Sequence, residues 1–212
     1  MLKPFLLPVL IAAAAASDPH PAALVGVYDG HQMEMGAGLE LGRDGRFRYG
    51  LAYGALDEEA AGTWVVEQDH VVLRSDPVTP PRFVLAGQKQ GEAGTLHITL
   101  EMPQGMSPQY FEVTVESAHG RSSGAQLTED GATMSFVAGD PPVRARLILP
   151  VFALQGDFVP IDPAKGYWLA FRFEPNDLGK VDFRATPLRI DHGDLILVRH
   201  DREIRFRRAA AR

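Results

Sequence analysis

The residues whose types and spacing could do chemistry fall into four groups. The sharpest is His31-x-Met33-x-Met35. On an extended strand these three side chains project from one face, and an imidazole with two thioethers is a donor set suited to Cu(I). Met102 and Met106 offer further soft donors. The metal reading therefore rests on His31, Met33 and Met35. The competing reading is core packing, because Met33 and Met35 continue the apolar stripe of Leu39 and Leu41.

Gly120-Arg121-Ser122-Ser123-Gly124 has the G-x-S-x-G spacing of a hydrolase nucleophile elbow. That motif needs a helix after the serine to support an oxyanion. Here Thr128-Glu129-Asp130-Gly131 reads as a turn between strands, so a Ser/Gly-rich loop is expected. Asp57-Glu58-Glu59 supplies carboxylates for acid/base work, but adjacent side chains diverge, and a solvated turn is the expectation. The basic group Arg199, Arg202, Arg205, Arg207 and Arg208 suits either an anionic surface or a solvent-facing strand edge. No residue is assigned a catalytic role at this level, and no cofactor is expected.

The elements that must position these groups are strands. Leu39 and Leu41, then Phe47, Tyr49, Leu51 and Tyr53, alternate with polar or small residues around Gly42-Arg43-Asp44-Gly45, predicting a hairpin. Thr63-Trp64-Val65-Val66 and Val71-Val72-Leu73 predict a second. The same period of two returns at Leu96/Ile98/Leu100, Phe111/Val113/Val115, Val143/Ala145/Leu147/Leu149 and Tyr167/Leu169/Phe171/Phe173. It closes the chain at Leu188/Ile190, Leu195/Leu197 and Ile204/Phe206. About a dozen strands result. The best helical candidate is residues 55–61, ending at Gly62.

Asp76-Pro77-Val78-Thr79-Pro80-Pro81 interrupts pairing and predicts a linker over residues 76–81, between a β unit at 24–75 and an antiparallel β domain at 82–208. The fold expected is all-β. Its N-terminal part is an antiparallel meander or small barrel, followed by an antiparallel β-sandwich or second barrel-like sheet. In the first unit, Leu24-x-Gly26-x-Tyr28, Asp44-Gly45-x-Phe47-x-Tyr49 and Ala61-Gly62-Thr63-Trp64 resemble the lipocalin-like small β-barrel domains of bacterial exported proteins without assigned function. The copper-resistance envelope lipoprotein is similar in style. The resemblance implies a bacterial envelope setting. The chain departs from it in lacking a lipid-accepting cysteine, having no cysteine at all.

The beginning of the chain reads as a signal peptide over residues 1–16. Lys3 is followed by an apolar run, and Ala14 and Ala16 form the small-x-small site for cleavage near Ala16. The run is shorter than the ~20 residues that span a bilayer, so no stable membrane anchor is expected. The expected location is periplasmic or secreted. A formal net charge of −6 disfavours phosphate neutralisation and sets nucleic acid aside as a partner. The function expected is a non-enzymatic envelope module that binds a small molecule or a partner protein. Copper binding is the alternative, and a serine hydrolase ranks below both.

Overall fold

A computed structural model describes residues 21–210 of the chain; the expected signal peptide and its cleavage site lie outside them. The regular structure of the described part is nearly all strand, as the period of two requires. Five strands open it: β1 (Gly26–Asp29), β2 (Met35–Leu41), β3 (Arg46–Tyr53), β4 (Leu56–Glu67) and β5 (His70–Ser75). Three more end it: β15 (Arg184–Asp191), β16 (Asp194–Arg199) and β17 (Arg202–Arg208). These eight close into one barrel in the order β1-β17-β16-β15-β5-β4-β3-β2. The first strand pairs with the last, Tyr28 opposite Arg208.

This corrects the partition expected at residues 76–81. The segment after the prolines is not one domain to residue 208, because its final strands complete the barrel and β15 pairs antiparallel with β5. Local punctuation at prolines marks where pairing stops, but not where the chain returns to resume it.

Between the two halves sits a β-sandwich. One sheet is β10 (Ala132–Ser135), β7 (Thr95–Glu101), β14 (Trp168–Glu174) and β6 (Arg82–Lys89), in that order. The other contains β12 (Leu154–Gln155), β11 (Pro142–Leu149), β8 (Glu112–Ser117) and β9 (Ser122–Gln126), with β13 (Val159–Pro160) also on β11. The sandwich is not wholly antiparallel, since β14 runs parallel to β7. Its core joins the inner faces of both sheets through Ile98, Phe111, Val113, Leu147, Phe171 and Phe173. Val143 leaves the predicted stripe and is 39 % exposed, because the register shifts between Pro142 and Arg144.

The barrel has a separate core. Tyr28, Leu39, Phe47, Tyr49, Leu73, Leu197 and Phe206 are all buried and fill most of the lumen. One end is stoppered: Leu24 packs into this cluster, the Tyr28 hydroxyl donates to its carbonyl, and Trp64 Nε1 donates to Gly42 O.

Residues 55–61 are not helical but enter β4, with Leu56, Glu58 and Ala60 turned inward. The strand crowds β5 at Gly62, where a Cβ would lie 2.0 Å from the Arg74 carbonyl oxygen, so only glycine fits. Beyond that point β5 has ended, and residues 179–183 take its place. The Glu59 N–H donates to Gly179 O, the Val181 N–H to Glu59 O, and the Ser75 N–H to Phe183 O. Phe183 then stands edge-on to Tyr49, with centroids 5.2 Å apart.

Candidate functional site at the barrel mouth

At the unstoppered end the inward positions stop being uniformly apolar. Alternation carries the lumen face of β4 from Trp64 and Ala60 to Glu58, that of β16 from Leu195 and Leu197 to Arg199, and that of β17 from Phe206 and Ile204 to Arg202. On β3 the corresponding terminal residue is Tyr53.

The Glu58 side chain is only 7 % exposed and is fully engaged. Arg199 grips it with two parallel bonds, Nε to Oε2 at 2.6 Å and Nη2 to Oε1 at 2.5 Å. The Tyr49 hydroxyl reaches Oε2 at 3.4 Å, and His200 Nε2 lies 3.1 Å from Oε1. Burial pushes the Tyr49 phenol upward, and the negative charge of Glu58 pushes the same way. Burial opposes the charge on Arg199, but the Glu58 carboxylate outweighs it and raises the guanidinium's pKa. The pairing thus favours the charged form of Arg199.

His200 is presented by a tight hairpin. Arg199 pairs with Arg202, leaving His200 and Asp201 as a two-residue turn with both φ positive, at 51° and 57°. That geometry favours Asn-Gly. The β15–β16 hairpin also starts its turn with histidine but follows it with Gly193.

Above this layer lies a cavity of about 510 Å³. Its apolar wall includes Met35, Leu51, Tyr53, Leu56 and Ile204, and its polar side is Arg199, His200 and Arg202. Val151, from the short 3-10 turn Pro150–Phe152 of the sandwich, completes the lining. The inserted sandwich thus reaches the mouth of the barrel that carries it at this one residue.

The residues singled out from sequence disperse. His31, Met33 and Met35 do not share a strand face, because β2 begins only at Met35. A turn bridges Gln32 and Met35, with Glu34 at φ 64°. Met33 stands 90 % exposed at its tip while Met35 is buried in the barrel. The turn breaks the alternation that aligns the three residues in sequence, and their side chains do not converge. Met102 and Met106 pack against the sandwich core.

Ser122 is exposed on β9, a strand and not an elbow before a helix. Among the described residues no hydrogen bond joins its hydroxyl to a histidine. The acidic triplet is split by the strand, Asp57 and Glu59 outward and Glu58 inward. The basic group is likewise divided. Arg199 and Arg202 face the mouth, Arg205 pairs with Asp191 and Asp194, and Arg208 donates to Ala23 O near the stopper. Arg207 alone fits a plain solvent-facing reading.

No protein-family model matches the chain, and neither a curated protein nor a solved structure is similar to it. No helix among the described residues is long and apolar enough to cross a membrane.

Proposed function

We propose that the chain is an exported, non-enzymatic binding module whose barrel mouth takes a small molecule. One observation carries the reading: a cavity of about 510 Å³ opens where the otherwise filled lumen ends. That is within the range of about 300–1,000 Å³ usual for small-molecule sites, and a few convergent polar groups on an apolar wall are the usual composition. A small molecule fits this concave space better than a partner protein does. The strained His200-Asp201 turn at its rim adds support, since backbone strain is commonly held where a site needs it. Export is supported by Lys3, the apolar run after it and the Ala14-x-Ala16 site.

The test is a fluorescence titration with the neutral apolar dye Nile red. Saturable, blue-shifted emission is expected from the wild-type protein, and weaker binding in a Leu56→Trp variant, whose larger side chain takes up part of the cavity. Emission that is unsaturable, or unchanged by the narrowed cavity, counts against the reading. N-terminal sequencing of protein recovered from the periplasm checks export, with a chain beginning at Met1 as the adverse result.

A further inference from the structure

The charges around this cavity specify its occupant further, given the small-molecule reading above. Its charged lining is two arginines, Arg199 and Arg202, and among the described residues no aspartate or glutamate lines it. The chain as a whole is acidic, at −6, so a wall of this sign stands apart from its surroundings.

The charges there are unequal in availability. Arg199 is neutralised by the bidentate Glu58, and His200 leans on the same carboxylate. Arg202 differs. It has the inward parity of Ile204 and Phe206 and lies 5.7 Å over the Tyr53 ring. Among the described residues no carboxylate comes within ion-pair distance of it. Most other guanidinium groups of the barrel are matched, among them Arg46 with Asp76, Arg48 with Glu40 and Arg205 with Asp191 and Asp194; Arg43, Arg207 and Arg208, which have no carboxylate partner among the described residues, do not line the cavity. After internal pairing, the arginines of the cavity present one free positive charge, at the rim, beside Met35, Leu51, Leu56 and Val151.

We infer that the site takes a monoanionic amphiphile, its head on the Arg202 guanidinium and its apolar body along the wall beneath Val151. A guanidinium held over a ring is well disposed to a carboxylate, sulfonate or phosphate-ester head. A neutral ligand of the same shape forgoes the charge-assisted bond. A dianion places its second charge against apolar wall, or must take Arg199 from Glu58 and strand a carboxylate that is 7 % exposed.

The experiment is calorimetric titration of the full chain with decanoate, decanamide and decanedioate. Decanoate binds about tenfold to a hundredfold more tightly than decanamide, the worth of one charged hydrogen bond, and more tightly than the dianion. The gap between acid and amide closes in Arg202→Gln, is largely kept in Arg202→Lys, and is untouched in Arg207→Gln. Circular dichroism verifies that each variant is folded. In wild-type protein the same gap narrows as ionic strength rises, a readout that needs no variant. Equal affinity for acid and amide overturns the charge inference while the binding reading stands. A gap that survives in Arg202→Gln overturns the assignment to Arg202. Failure of all three probes together with Nile red removes both.

Discussion

Glu58 on β4 and Arg199 on β16 belong to strands separated by β5 and β15 around the wall, so their paired bonds cross the lumen. The pair joins the opening half of the chain to its closing half. Removing either partner leaves the other charge poorly solvated, a change worth about 3 kcal/mol at the lower end for buried pairs, since Arg199 is 24 % exposed. Glu58→Gln and Arg199→Met are each predicted to lose about that much in urea unfolding. The double variant Glu58→Gln/Arg199→Met is predicted to lose much less than the sum. Additive losses would show the two do not act as a pair.

The His200-Asp201 turn gives a prediction of opposite sign. Asp201 sits at φ 57°, where a Cβ costs about 1–2 kcal/mol, while glycine loses about 0.4–1 kcal/mol more chain entropy on folding. Asp201→Gly is therefore expected to stabilise by about 0.5 kcal/mol, raising the thermal midpoint. Gly193→Asp, at φ 93° in the sister hairpin, is expected to lower it. Matching shifts in one direction would contradict the argument.

Asp140 in the sandwich links stability to acid. Its 5 % exposure alone raises the pKa of the carboxyl. Three donors outweigh that: the His119 N–H, the Ser117 hydroxyl and the Arg121 guanidinium hold it at about 2, against an ordinary 3.8. On acidification the unfolded chain takes up this proton first. The contribution is full above about pH 4 and lost as pH falls towards 2. Asp140→Asn is predicted to flatten that limb of the stability curve, measured by urea unfolding at several acid pH values. An unchanged slope would place the acid sensitivity elsewhere.

The sandwich enters and leaves at one point, where Asp177 N–H donates to Thr79 O, Thr79 N–H to Asp177 Oδ2, and Asn176 to Pro80 O. With two separate cores, replacing residues 80–176 by a short turn is predicted to leave the barrel folded, with dispersed amide resonances. Nile red affinity should fall several-fold as the Val151 contact goes. Removing residues 184–208 instead is predicted to collapse the dispersion of the barrel resonances.

Most strands were legible because their inward residues are large and apolar, as at Phe47/Tyr49/Leu51 or Leu195/Leu197. The start of β4 was not. After Leu56 its inward positions are Glu58, Ala60 and Gly62, small or charged, so no period of two stands out and residues 55–61 resemble a short helix. The same composition hid the site. Glu58, Arg199 and Arg202 are found only by counting twos outward from Trp64, Leu197 and Ile204 past the last apolar residue. The error at His31, Met33 and Met35 was the reverse, a count carried across the turn at Glu34. The return of β15 to β5 leaves no local mark at all, because pairing between distant strands is decided by burial.

Because the barrel is begun by β1–β5 and finished by β15–β17, its first half leaves synthesis with two bare strand edges, on β1 and β5. All the strands of the sandwich are made before the closing three, so that unit is complete in sequence while its host is still open. Contacts of such separation are slow to form, and unpaired edges invite pairing with other chains. The insertion thus fixes an order of synthesis, guest before host. The waiting half is also the interval in which this chain is most exposed to misassembly.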